Sequence, residues 1–140
     1  MKPGIAALWF ACLLLPQSAA MALDNSASVK AATLLRTSSS WDGTPIEYPP
    51  GKAEITAMMI EVAPGAETGW HLHPVPSFAY LLEGDLEIRL KNGLIKRAGQ
   101  ALAEVVNTAH NGRNVGTVPV RLVVFYTGAE GRALTAKEGP

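Results

Sequence analysis

The sequence has a single cysteine, Cys12, only 6% aromatic residues and no excess of charge of either sign, with 12 Lys+Arg against 12 Asp+Glu. One cysteine makes no internal disulfide, and beyond residue 22 no thiolate is left to bind a metal. A formal charge of zero provides no long-range field for a phosphate backbone, which weighs against nucleic acid as a partner. Outside the first 22 residues no apolar run approaches the ~18 residues needed to cross a bilayer. After residue 22 there is also no helical pattern of convincing length. What is abundant is hydrophobic residues, at 48%, and turn formers, 13 Gly and 10 Pro spread along the 140 residues. That balance suits one domain, small and rich in short strands.

The first residues read as an address. Lys2 precedes an apolar stretch from Ile5 to Leu15, ended by Pro16, Gln17 and Ser18. Ala20-Met21-Ala22 then offers an A-x-A site for cleavage before Leu23, with a cut after Ala20 as the competitor. Residues 1–22 are therefore expected to be a signal peptide, and the mature chain to be secreted or periplasmic. Its apolar core is short for an anchor helix, so no stable membrane anchor is expected after cleavage. Any metal site of the mature chain must use His, carboxylates, amides or water.

Residues 23–44 form a polar N-terminal extension, with an extended segment expected around Ala31 to Leu35. Strand-like runs follow at Glu54–Val62, Phe78–Leu82, Asp85–Leu90, Ala101–Val106 and Val120–Tyr126. Alternation is clearest where Leu86, Ile88 and Leu90 interleave with Asp85, Glu87 and Arg89. Lys91-Asn92-Gly93 is the strongest hairpin signal. The expected fold is all-β, a sandwich or barrel over residues 45–128, with 129–140 as a loose tail.

The three histidines carry the chemistry. His71 and His73 are two apart, so both rings leave the same face of an extended strand. His110 lies in a second segment, where a neighbouring strand could bring it to the same metal. The surrounding spacing is more specific. Gly65, His71, His73, Ser77 and Gly84 stand at the intervals of the first cupin motif, with Ser77 where that motif carries Glu. Gly99, His110 and Asn114 match the second motif, with Val105 and Asn107 replacing its Pro and Gly. The chain thus resembles a small single-domain cupin. The resemblance implies a cupin-type antiparallel jelly-roll barrel with metal ligands His71, His73 and His110, a three-His site lacking the usual Glu.

Neutral imidazoles suit Fe(II), favoured here, as well as Mn, Ni, Cu or Zn. Ser77 is too short to ligate but can hold a water. Glu104 points inward if Leu102 and Val106 do, and outward in the other register; alternation favours the surface. Arg113 can take a carboxylate substrate bidentately, or belong to a self-bonded Asn/Gly turn. Trp70 and Tyr80 can wall a pocket or simply pack. Met58 and Met59 are consecutive, so at most one faces a cavity. Resemblance to cupins without the Glu ligand implies a small-molecule dioxygenase-type oxidoreductase. A non-enzymatic ligand- or metal-binding protein, and a metal-dependent isomerase or lyase on a small sugar or acid, remain as alternatives. A homodimer is expected, because pairing covers an exposed strand edge.

Overall fold

Glycine and proline cut the chain into short extended runs, and the computed structural model, which describes residues 28–137, turns those runs into strands. Among the described residues there is no helix. The strands are β1 (Ala53–Val62), β2 (His71–Leu72), β3 (Ser77–Glu83), β4 (Leu86–Leu90) and β5 (Ile95–Arg97). They continue as β6 (Ala101–Ala103), β7 (His110–Asn114), β8 (Val120–Ala129) and β9 (Ala136–Lys137). The chain divides after Ala32, and all of these strands belong to the second unit. The expected signal peptide lies outside the described residues.

Two antiparallel sheets form, in the orders β1-β8-β3-β6 and β5-β4-β7-β2-β9. Their inner faces meet in one core, with Val62, Leu102, Leu122 and Val124 from the first sheet against Leu86 and Ile88 from the second. Alternation explains it: along β8, Val120, Leu122, Val124 and Tyr126 are buried, while Arg121 and Phe125 are exposed. This all-β, two-sheet antiparallel architecture is consistent with a cupin jelly roll.

Two motif positions shape the backbone. Gly84 has φ +84°, and a Cβ there would lie 2.7 Å from the Pro119 carbonyl oxygen, so only glycine fits this turn. Asn107, at the second motif's Gly position, has φ 51°, which Asn tolerates better than most residues. Its N–H donates to the His73 carbonyl at 2.8 Å, tying the two motifs together.

Several expectations need revision. The polar run His110–Asn114 reads as a turn but is β7, flanked by β4 and β2. Residues 31–35 hold no strand; the N-terminal segment contributes an isolated bridge between Ser39 and Pro45. Residues 129–137 are not a loose tail, since β8 runs to Ala129 and β9 pairs with β2 through Leu72–Ala136 and His71–Lys137.

Candidate metal centre

His71 and His110 are brought side by side by the β2–β7 ladder, in which they are direct partners. His73 stands just past β2, two residues on from His71, which keeps its ring on the same side. The three rings sit with centroids 4.4–5.0 Å apart. One potential ligand atom from each lies within 4.8 Å of the others. His73 and His110 are buried, and His71 is half-buried.

The hydrogen bonds decide which nitrogen each ring presents. Nδ1 of His71 contacts the Gly69 carbonyl at 2.7 Å, Nδ1 of His73 the Leu134 carbonyl at 3.0 Å, and Nδ1 of His110 the Thr108 carbonyl at 2.9 Å. A carbonyl only accepts, so each Nδ1 is the donor and each Nε2 of the neutral ring keeps its lone pair free. Thr135 Oγ1 adds a contact to His73 Nδ1 at 3.1 Å. Burial lowers all three pKa values, that of His73 to about 4, so the rings are neutral at pH 7. Three neutral imidazoles with tied Nδ1 atoms and converging free nitrogens fit a divalent transition metal.

Around them is a cavity of about 70 Å³, walled mainly by Ile60, Val62, Ala79, Leu86, Ile88, Leu122 and Val124. A wider hollow of about 490 Å³ shares Ile60, His71, His73 and Tyr126 with it and is lined further by Met58, Trp70, Thr135 and Lys137. Met59 faces outward and is 56% exposed, so one of the two consecutive methionines serves the hollow. Lys91 Nζ stands 5.6 Å over the Trp70 ring at its rim.

The other candidate residues separate by face. Glu104 is buried and lines the chamber, which corrects the surface register favoured by alternation. Alternation fails there because residues 102–105 are all buried, and the backbone N–H of Trp41 donates to the Ala103 carbonyl along the free edge of β6. Glu104 Oε2 is 3.7 Å from His110 Nε2. Burial pushes its pKa up to about 7, partly offset by the Trp41 indole, the Val105 backbone and His71. Ser77 is 1% exposed, its hydroxyl makes no hydrogen bond, and its carbonyl accepts from Glu104 N–H at 2.9 Å.

Arg113 is placed away from the chamber. In β7, His110, Gly112 and Asn114 oppose the buried Leu90, Ile88 and Leu86, while Arg113 opposes Glu87 and lies 3.8 Å from Glu67. Tyr80 alternates with Ala79, which lines the chamber, and so turns to the opposite face. The aromatic residue that does line the chamber is Tyr126, whose ring centroid is 5.2 Å from that of His73. The period-two pattern of β8 was the signal for it. Leu134 and Thr135 had no sequence signal, because they reach His73 only through the docking of β9.

Comparison with known proteins agrees with this geometry. The cupin domain family model matches residues 58–126. No curated protein matches the chain. Among solved structures, the DMSP lyase DddQ from Ruegeria pomeroyi superposes with a TM-score of 0.52 at 20% identity, over 61% of this chain and 45% of that one. The oxalate decarboxylase of Lactobacillus farciminis gives 0.50 at 19%, over 59% and 26%. An uncharacterized conserved protein with a double-stranded beta-helix domain from Klebsiella pneumoniae gives 0.50 at 20%, over 68% and 86%. This chain thus spans less than half of either named enzyme, and at such identities the likeness is one of fold. The segment that the cupin domain model matches, residues 58–126, carries all three histidines.

Proposed function

We propose that this protein binds one divalent transition metal through His71, His73 and His110 and acts on a small organic molecule, with dioxygenase-type oxidation as the first reading. The observation that carries the metal is the set of three Nδ1–carbonyl contacts, which leaves three free nitrogens directed into one chamber. Fe(II), when bound, supplies redox capacity and open positions for substrate and dioxygen. The chain's own contribution is a mainly apolar chamber that suits dioxygen and an apolar reacting group better than a sugar. At about 70 Å³ it takes only the reacting end of a substrate, and the wider hollow holds the rest. Tyr126 offers a phenol that burial keeps protonated, hence a hydrogen-bond donor.

A second reading is non-oxidative lyase chemistry, favoured by the lyase and the decarboxylase among the similar folds. Oxygen consumption by the Fe(II)-loaded protein, screened over diketones, thiols and phenols, tests the first reading. Turnover by Zn-loaded protein under argon supports the second, because Zn does not change redox state. Tight ligand binding without turnover under either condition leaves a binding protein.

Export and dimerisation belong to the same proposal. Intact mass of secreted material should correspond to a chain beginning near Leu23. Light scattering should give twice the chain mass, with the open edge of β1, the outermost strand of its sheet, as the surface to cover.

A further inference from the structure

We infer that Glu104 supplies the carboxylate ligand of the metal centre, taking over from the neighbouring strand the place that Ser77 leaves empty of a ligand. The inference rests on the three-His reading and adds a fourth, anionic donor to it.

Three observations carry it. The first is position. Phe78 pairs with Ala103, and Glu104 N–H donates to the Ser77 carbonyl, so Ser77 and Glu104 follow one another across β3 and the end of β6. Cross-strand neighbours on one face have Cβ atoms ~5 Å apart. A Glu side chain spans that distance, and a carboxylate starting at position 104 reaches the volume one starting at position 77 would fill.

The second is spacing. Glu104 Oε2 is 3.7 Å from His110 Nε2, too far for a hydrogen bond. Two donors held ~2.1 Å from one metal stand ~3.0 Å apart at a right angle and ~3.6 Å apart at 120°. The observed separation is about 0.1 Å beyond the 120° value, so a small closure brings both atoms onto one ion.

The third is the lack of any other partner. The Trp41 indole N–H and the Val105 backbone N–H stand close enough to the carboxylate to hold its pKa down against burial. Neither closes a well-formed hydrogen bond to the buried Oε2, and the indole N–H has no other acceptor. Among the described residues no Lys or Arg pairs with Glu104. A buried carboxylate oxygen left without a donor or cation is costly, and native interiors seldom keep one. A divalent cation held by the three histidines removes that cost.

The test uses the full chain loaded with Mn(II), whose free and bound forms are counted by electron paramagnetic resonance. Glu104→Ala should weaken Mn(II) binding at least tenfold. It should also raise the number of metal-bound waters by one, read from water-proton relaxation, because water enters the vacated position. The metal-free Glu104→Ala protein should melt no lower than wild type, since an unpaired buried charge has gone. Glu104→Gln, nearly isosteric, gives the same affinity readout if Glu104→Ala folds poorly. Adding Ser77→Glu to Glu104→Ala should recover both the affinity and the water count. Unchanged affinity in Glu104→Ala overturns the inference while leaving the three-His site intact. Weaker binding with an unchanged water count also overturns it, placing the carboxylate outside the metal shell. Failure of the double variant to recover refutes the cross-strand exchange. If wild type itself binds no metal, the three-His reading falls as well.

Discussion

Two buried polar groups, one at each end of the same barrel interior, are treated in opposite ways. Asn114 sits at the end where Val62 pairs with Val120 and Leu86 with Asn114 itself. It is fully buried and its amide is in use: Nδ2 donates to the carbonyls of Val62 and Val118, and Oδ1 accepts from Gly116 N–H. Glu104 sits at the other end with Ser77, Tyr126 and the histidines, and its Oε2 and the Ser77 hydroxyl have no partner. A satisfied polar group in a core stabilises a unique fold; an unsatisfied one is costly and calls for a partner, which for Glu104 is the inferred metal ion. Both belong to cupin-motif segments, yet Asn114 holds loops together while Glu104 waits for a partner.

The contrast can be broken by substitution. The largest expected effect is at the histidine end: His110→Ala should lower metal affinity by about three orders of magnitude, since a donor set this small has none to spare. Its metal-free melting temperature should stay close to that of wild type, because the ring's own hydrogen bond is a single contact to Thr108. Isothermal titration and thermal melts with chelator measure both, and retained affinity would remove His110 from the site.

Asn114→Ala should show the reverse pattern. It leaves two buried carbonyls and one N–H without their partner, at a cost of roughly 3 kcal/mol in unfolding free energy. The fraction that remains folded should bind metal as wild type does. A loss of affinity equal to that of the histidine variant would erase the distinction between the two ends.

A smaller effect concerns pH. Glu104 has its folded-state pKa raised to about 7 from 4.5, so the stability linked to it is present below pH 4.5 and lost as pH rises through 7. His73 has its folded-state pKa lowered to about 4 from 6.5, so its linked stability is present above pH 6.5 and lost as pH falls through 4. Between pH 4.5 and 6.5 the two slopes oppose each other. His71 and His110 are lowered in the same direction as His73, so metal-free wild type should gain stability as pH rises through that window, and Glu104→Gln should gain it more steeply. Denaturant titrations from pH 4 to 8 with chelator present read the slope, and equal slopes in both proteins would show that Glu104 does not oppose the histidines.

The smallest effect is expected at Thr135. Thr135→Val removes the hydroxyl 3.1 Å from His73 Nδ1 but leaves the Leu134 carbonyl in place. Metal affinity should fall by less than tenfold, with the fold unaltered. A larger drop would make the hydroxyl, rather than the carbonyl, the group that orients the ring.

How much of this was legible in the chain differs from residue to residue. Alternation placed Leu86, Ile88 and Leu90 inside, and spacing placed His71 and His73 on one face, because both are local consequences of a strand's two-residue period. It failed at Glu104, where four consecutive residues, 102–105, are buried and the contrast between faces is lost, with the segment around Trp41 bonded along the edge of β6. It failed also at His110–Asn114, a polar strand stabilised by its two neighbours rather than by its own propensity.

By itself, then, the sequence determined the β class, the turns at glycine, the absence of thiolate ligands beyond residue 22 and the three imidazoles available to a metal. Each of these follows from composition or from neighbours a few positions apart. Only the tertiary structure decided that Glu104 faces His110, that Arg113 and Tyr80 do not reach the chamber, and that Leu134 and Thr135 orient His73. Those contacts join residues as far apart as 62 positions, and they exist only once β9 has docked on β2 and both sheets have closed on one core.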